Sequence, residues 1–442
     1  MINILFILVV VVLSVLYVWS LYNIPILVVG VKHLLKTKRK GATTAKPSGK
    51  KLPTFSIIIP AKDEEKVVGR LLNSLLKLDY PSEKKDIVVV EGGSTDRTAK
   101  ICTEYAAQYS DQIRLVHQSG SNGKPSALNY ALKHARGDIV AVFDADNVLE
   151  SDLLLRAAGY FEDSATTAVQ GRACSINSNE NMLARFISYE EMVRYETYIR
   201  GKDTLNLFVP LTGSCYFIRR NVLEAVGGWD NQALSEDMEM AARLTEKNLN
   251  IKYASDVRSW QENPASLAQL FRQRLRWFRG SMEVSLKYGR LLKHLSKKSF
   301  DAEVTLSGPY MFLPCVLGYM LGLVSLVFPL SPNPVLTFMS QGLAFVNTFT
   351  LLLIGAALVY LTKPMKMTNL LWLPFVYAYW MVQNLVALCA FFQLLFKRPR
   401  KWKKTAKTGS VDIGNLVVQA SLWCTAKLGE ITSVEIADLE KL

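Results

Sequence analysis

Two long blocks of this chain are almost without charge, residues 1–31 and roughly 308–396, while the stretch between them has ordinary soluble composition. A bilayer accepts such blocks only where the backbone satisfies its own hydrogen bonds, which for uninterrupted apolar runs of this length means helices. The expected chain is therefore a soluble domain held to a membrane at both ends. The mean hydropathy of +0.15, high for a soluble protein, has its source in these two blocks.

The first block, "INILFILVVVVLSVLYVWSLYNIPILVVGV", is long enough to cross. A cleaved leader is the rival reading, but its basic residues precede the apolar core, and here they follow it. Lys32, Lys36, Lys38, Arg39, Lys40, Lys46, Lys50 and Lys51 come after Val31 with no acid among them. An excess of basic residues marks the cytoplasmic flank, so the middle of the chain is expected inside a cell membrane that it crosses several times. Three further apolar segments follow, at about 308–331, 335–362 and 369–396. The link "PLSPNP" is uncharged and suits the outside, and "TKPMKM" is basic and suits the inside. If the third segment also crosses, the basic run "KRPRKWKKTAK" (397–407) ends outside, against the rule. Pro374, Gln383 and Asn384 make this segment the weakest span, and a re-entrant or surface-lying helix is the alternative.

The formal charge of +14 does not point to nucleic acid, because the basic runs flank apolar segments instead of interleaving with aromatics on one domain. Contact with anionic membrane lipids accounts for it better. The cysteines (Cys102, Cys174, Cys215, Cys315, Cys389, Cys424) are scattered with no CxxC, the four histidines are dispersed too, and neither a zinc site nor a disulfide frame is expected.

In the middle, "LPTFSIIIP" (52–60) reads as a buried strand leading to a helix around Glu64–Leu78. "DIVVVEGGSTD" reads as a strand with a glycine-rich turn before a helix through Thr98–Tyr109. "IRLVHQ", the helix of "SALNYALKHA" and the strand of "DIVAVFDAD" follow. Alternation of continuous apolar strands with helices predicts an α/β fold with a mostly parallel sheet covered on both faces. Ligands of such sheets bind beyond the carboxyl ends of the strands. Three strand ends here carry polar groups: Lys62, Asp63 and Glu64; Glu91 to Asp96; and Asp144 with Asp146.

Two carboxylates separated by one residue at a strand end repel unless a cation or a reaction uses them. Asp144 and Asp146 can hold a divalent metal together with phosphate oxygens, although a lone DxD is often a solvated turn. Lys124 and Asn129 in "SNGKPSALN" stand just before that strand; the spacing is not that of a Walker A loop, and a solvated loop lysine is the plain alternative. Glu236 and Asp237 open a helix-like stretch, where acids are favoured by the helix dipole in any case. Gln273, Arg276 and Trp277 in "LFRQRLRWFRG" fit an amphipathic helix on the membrane surface by spacing alone.

These motifs together resemble those of the membrane-embedded family 2 glycosyltransferases, the group of cellulose, hyaluronan and poly-N-acetylglucosamine synthases. "VVVEGGSTD", "DAD" (144–146), "SED" (235–237) and "QRLRW" (273–277, fitting Q-x-x-R-W) occur in the family's order, with "GKPSALNYAL" and "LTGSCYFIRR" beside them, over about residues 54–280. The resemblance implies a GT-A-like domain that transfers a sugar, with inversion, from a nucleotide diphosphate. Asp144 and Asp146 would hold Mg²⁺ or Mn²⁺. Asp237, with Glu236 beside it, would be the catalytic base, and Gln273, Arg276 and Trp277 would bind the acceptor and the donor phosphates. Lys124, Asp144, Glu91 and Asp96 would serve the donor. The family usually has two aspartates where this chain has Glu91 and Gly92, so the nucleotide base is read by Glu91, Asp96 or backbone alone; UDP is the expected carrier.

The expected organisation is an anchor (1–31), a basic linker (32–51), the catalytic domain (52–280), an amphipathic interface segment (281–307), membrane segments (308–396) and a basic tail (397–442). The leading reading is a processive polysaccharide synthase. Gln341, Asn347, Tyr377, Tyr379, Trp380, Gln383 and Asn384 inside the apolar segments suit a sugar path, and "RPRKWKKTAK" resembles the tail motif of polymer-forming relatives. Gln and Asn that merely join helices are the counter-reading. At most four crossing helices are few for a channel, which leaves room for a homo-oligomer. A glycolipid synthase resembling ceramide glucosyltransferases is the alternative, with a lipid acceptor. A dolichol-phosphate sugar synthase lacks Q-x-x-R-W. A membrane glycoside hydrolase would need its site outside, and a non-catalytic scaffold leaves four ordered motifs unexplained.

Overall fold

The computed structural model describes residues 2–40, 52–120, 123–289, 296–327, 333–361, 370–371, 373–400, 405 and 407–409. Part of the basic linker, "TKPMKM" and the tail beyond residue 409 lie outside the described residues. Helix α1 (Ile2–Lys40) leads into β1 (Phe55–Ala61), α2 (Val68–Leu76), β2 (Lys85–Glu91), α3 (Thr98–Gln108), β3 (Ile113–His117), α4 (Lys124–Leu132) and β4 (Ile139–Val142). Then come β5 (Val148–Leu149), α5 (Leu153–Tyr160), β6 (Thr166–Ser175), α6 (Met182–Val193), a π turn (Arg194–Ile199), α7 (Arg200–Thr204), β7 (Tyr216–Arg219), α8 (Arg220–Ala225), α9 (Glu236–Glu246) and β8 (Asn250–Gln261). The chain closes with α10 (Leu267–Tyr288), α11 (Lys297–Leu306), α12 (Phe312–Val327), α13 (Pro334–Leu361) and α14 (Leu373–Leu395).

The eight strands form one sheet in the order β3-β2-β1-β4-β7-β6-β8-β5. The first four are mutually parallel, as their apolar runs predict, and β7 enters antiparallel beside β4. Successive residues of β1 serve opposite faces: Ile57 and Ile59 pack with Leu71, Leu75 and Phe143, whereas Ile58 packs with Leu128, Val140 and Val142. A strand buried on both faces has no polar alternation to show, which is why these segments read as continuous apolar runs. The sequence reading named no strand beyond β4. The helix expected from Glu64 begins only at Val68. Before it the backbone is committed elsewhere: the amide of Glu64 donates to Thr98 Oγ1 (2.6 Å) and that of Glu65 to Asp96 Oδ2 (3.1 Å).

Four helices are long and apolar enough to cross a membrane: the α1 region, a stretch from Gly308 through α12, α13 and α14. At about 1.5 Å per residue, α1 is far longer than the roughly 30 Å of hydrocarbon, and its second half runs along the α/β domain. There its backbone touches the domain directly. A Cβ built on Gly30 would sit 1.9 Å from the Thr197 carbonyl oxygen, and one on Gly201 2.1 Å from that of Ile26. Glycine at these two positions permits the close approach.

Helix α14 lies against the domain along its length. Phe375 stacks on Phe186, Tyr379 and Gln383 donate to Glu190, Phe391 meets Tyr310 edge-on, and Arg279 donates to Gln393. Two further polar pairs lie within the apolar segments: Ser20 donates to Asn347 (3.4 Å) and Tyr319 pairs with Tyr377 (2.8 Å).

Candidate active site

A cavity of about 580 Å³ opens at the carboxyl ends of β1, β2 and β4, and its walls gather most of the residues singled out above. Lys124, Asp144, Asp146, Glu236, Asp237, Gln273, Arg276 and Trp277 all line it. Residues from four separate chain segments thus converge on one space, as the position of three polar strand ends implied.

Lys124 is the hub. Its position at the start of α4, after Gly123 with φ +92°, turns its side chain into the cavity. Its Nζ lies 2.6 Å from Asp144, 3.3 Å from Glu236 and 2.6 Å from the carbonyl oxygen of Gly213, to which it donates. Burial works against its charge, but Asp144 and Glu236 outweigh that and hold its pKa above the ordinary lysine value. Lys124 is thus a partly buried, ion-paired lysine and not a solvated loop lysine.

Asp237 sits at the first turn of α9. Its carboxyl is pushed up to about 6, first by burial and second by the neighbouring Glu236, with Lys124, the Met238 amide and Arg276 pulling the other way. The turn before it is locked by Asn129, whose amide donates to the Trp229 carbonyl (2.7 Å) and whose Oδ1 accepts from the Trp229 amide (2.8 Å). Gly228 there has φ +70°, and a Cβ on it would lie 2.4 Å from Asn129 Oδ1. Asn129 thus holds the "GGW" turn, a structural role one step removed from chemistry.

The two carboxylates of "DAD" differ. Asp144 is about 38% exposed, into the cavity, and its amide is held by Asn147 Oδ1 and Ser214 Oγ. Asp146 is buried and accepts from the Glu262 amide (3.0 Å). Burial would raise its pKa, but Lys407 at 2.6 Å keeps it low. Lys407 belongs to the segment after α14, so the basic tail returns to the strand ends. Thr408 and Gly409 dock there through their amides on Glu262 Oε2 (3.0 and 3.3 Å). The sequence reading singled out the tail motif for its charge and its family likeness, but not Lys407 as a site residue.

Glu91 and Asp96, expected at the donor, stand behind the cavity wall instead. Glu91 is buried, accepts from the Ser94 amide (2.6 Å) and faces His117 (3.3 Å). Asp96 accepts from the amides of Thr98 and Glu65. Both carboxylates satisfy turn amides, so the surface at this strand end is formed by Gly92, Val90, Ala61 and Lys62.

Across the cavity, α10 presents Gln273, Arg276 and Trp277. The Arg274 guanidinium lies 4.5 Å from the centre of the Trp277 ring, and Arg274 is itself held by Glu190 (2.8 Å). Glu191, which the sequence reading passed over, also lines the cavity. Burial pushes its carboxyl up to about 7, with donors from Asn263 and Gln261 as partial relief. No spacing signal marks it, because the π turn and α6 that deliver it were not legible as a unit.

A family model described as "Glycosyltransferase like family 2" matches residues 53–280. The beta-monoglucosyldiacylglycerol synthase of Nostoc sp. is 31% identical over 243 residues, covering 54% of this chain and 52% of that one. The poly-beta-1,6-N-acetyl-D-glucosamine synthase of Staphylococcus epidermidis is 26% identical over 233 residues, 53% and 56% of the two chains. The chain spans about half the length of these two curated relatives. Among solved structures, a mannosyltransferase from Pyrobaculum calidifontis in complex with GDP-Man and Mn²⁺ superposes with a TM-score of 0.55 at 19% identity. The match covers 87% of this chain and 100% of that one and shows a shared GT-A fold.

Proposed function

The chain belongs to the family 2 glycosyltransferases, and on that premise we propose that it transfers a sugar from a nucleotide diphosphate, UDP in the first instance, to a growing polysaccharide at the cytoplasmic face of the membrane, with inversion. The observation that carries this reading is the position of Asp237, in one cavity with Lys124 and Asp144 on one side and Gln273, Arg276 and Trp277 on the other. A raised pKa suits a carboxylate that takes a proton from an acceptor hydroxyl as the bond to the sugar forms. Arg276 and Lys124 are cations in the space where charge develops on the departing diphosphate. Lys407 adds a third on the Asp146 side. With Glu91 and Asp96 behind the wall, the nucleotide base is read by backbone around Gly92.

The residues fit a divalent ion in part. Among the described residues no cluster of three or more His, Cys, Asp and Glu is set for a metal, so Mg²⁺ or Mn²⁺ would take Asp144 and Asp146 and complete its shell from donor oxygens. When bound, it supplies charge neutralisation to the leaving diphosphate. The exposure of Asp144 leaves it available, and Asp146 would exchange its contact with Lys407.

The contacts of α14 bear on the membrane arrangement. A helix touching α6 and α10 from Phe375 to Gln393, followed by a tail whose Lys407 meets Asp146, favours a surface-lying α14 and three crossings by α1, α12 and α13. That reading also keeps the 397–407 basic run on the cytoplasmic side, in agreement with the positive-inside rule.

A specific observation favours a second reading, single transfer to a lipid. The described wall of the cavity reaches Trp19 of α1 and, in α12, Phe312 and Cys315 of its first turn, and no later residue of α12 and none of α13 or α14 is among that lining. Tyr379, Gln383 and Asn347 are engaged with Glu190 and Ser20. Incubation of the purified protein with a panel of nucleotide sugars and sizing of the labelled product tests both. High-molecular-weight, glycosidase-sensitive material supports the synthase, and one sugar on extractable lipid supports the second reading.

A further inference from the structure

Trp19 belongs to the membrane anchor by sequence, yet it lines the same cavity as Asp237 and Trp277. An aromatic near the end of a span is ordinarily an interfacial anchor facing lipid headgroups. Trp19 is placed differently. With Tyr22, Ile26 and Gly30 it recurs at helical spacing and so shares one face of α1. That face is pinned to the soluble domain. Tyr22 donates to Asp301 Oδ1 (2.5 Å), which with Oδ2 also holds Lys202 (2.6 and 2.7 Å), and both members of that ion pair are fully buried. Ile26 and Gly30 meet Gly201 and Thr197 backbone to backbone. The ring end of Trp19 reaches Gly308, where a Cβ would lie 3.7 Å from its Cη2. Val18, the preceding residue, is 66% exposed.

We propose that the N-terminal span is a wall of the acceptor site and that Trp19 is its contact residue, receiving the C–H-rich face of the acceptor's sugar ring opposite Asp237. This rests on the transferase reading above. The π turn supports it: Arg194, Tyr195 and Tyr198 line the same cavity as Trp19, and Thr197 in the same turn is what Gly30 abuts. The anchor therefore fixes the turn that shapes this wall. An aromatic face packs well against the apolar face of a pyranose, and Trp adds a polar N–H suited to a wet boundary.

The test compares Trp19→Ala, Trp19→Phe and Val18→Ala in the full-length, membrane-inserted protein with UDP-sugars as the probe. Incorporation of labelled sugar into product is expected to fall about tenfold in Trp19→Ala, with the KM for the UDP-sugar within about twofold and a larger share of the donor lost to water. Trp19→Phe should recover most of the transfer, and Val18→Ala should match the parent. Equal incorporation in Trp19→Ala and Val18→Ala overturns the proposal. A second arm does not need activity. Trp19→Cys and Val18→Cys are treated with a water-soluble maleimide, read at that position by mass spectrometry. Modification of the first alone, slowed by UDP-sugar, supports the wall; equal modification of both, or of Val18→Cys alone, overturns it. A parent protein that turns over no UDP-sugar contradicts the transferase reading, and the alkylation pattern still decides whether Trp19 faces the cavity.

Discussion

The Nζ of Lys407 lies 2.6 Å from Asp146 Oδ2 and donates to the Glu262 carbonyl at 2.8 Å, so the segment after the last apolar helix reaches the Asp146 side of the cavity. Opposite charges this close inside a buried site raise the lysine's pKa and lower the aspartate's, and both shifts are present. Lys407→Met leaves Asp146 buried without that cation and removes positive charge from the diphosphate side. Turnover is expected to fall by about one to two decades with the fold kept. Steady-state kinetics beside circular dichroism check this; unchanged kcat and donor KM contradict it.

Metal dependence is expected if Asp144 and Asp146 hold the proposed ion. Excess chelator should abolish transfer, and Mg²⁺ or Mn²⁺ should restore it. Full activity in chelator would mean that Lys124 and Lys407 neutralise the diphosphate by themselves.

The pH dependence has a defined sign. A base works only when deprotonated, and the carboxyl of Asp237 is raised to about 6, so the active form is lost as pH falls through about 6. The logarithm of kcat/KM should climb to a plateau above that value, reporting the Asp237 carboxyl. Lys124 pulls the Asp237 pKa down, so Lys124→Met should move the midpoint upward in whatever activity remains. A profile flat down to pH 4.5 contradicts this assignment.

Cysteine scanning on sealed inside-out and right-side-out vesicles tests the membrane arrangement. Probes at Lys397 and Thr408 are expected on the same side as probes at Lys133 and Lys247 in the soluble domain. Opposite sides would require α14 to cross, and would break the contacts of Arg279 with Arg398 and of Lys407 with Asp146.

The parts legible in the sequence were those set by local pattern. Ile57 to Ile59, Ile87 to Val90 and Ile139 to Val142 are buried on both faces and so betray parallel strands without context. The polar groups that follow such strands had to meet at one end of the sheet, which brought Asp144, Asp146 and Lys124 into view. Other features depend on contacts far apart in the chain. Glu91 looks like a ligand in its strand-end position, but the amide of Ser94 claims it. Lys407 reads as a membrane-surface charge until the fold carries it to Asp146, 261 positions away by their numbers (407 − 146). Trp19 reads as an anchor because nothing local tells which face of a long apolar helix meets protein. Tyr379 and Gln383 of α14 meet Glu190, and Tyr379 also meets Arg274, contacts between distant segments that no local pattern shows.

The proposed transfer depends on Asp237 as its base. Asp237→Asn keeps the shape of the side chain and removes its basicity. The direct measurement is nucleoside diphosphate release from the preferred nucleotide sugar by this variant and its parent, beside calorimetric binding of the free diphosphate. Release is expected to fall by about two to four decades with binding retained. Release near the parent's rate from a variant that binds equally well would contradict the account.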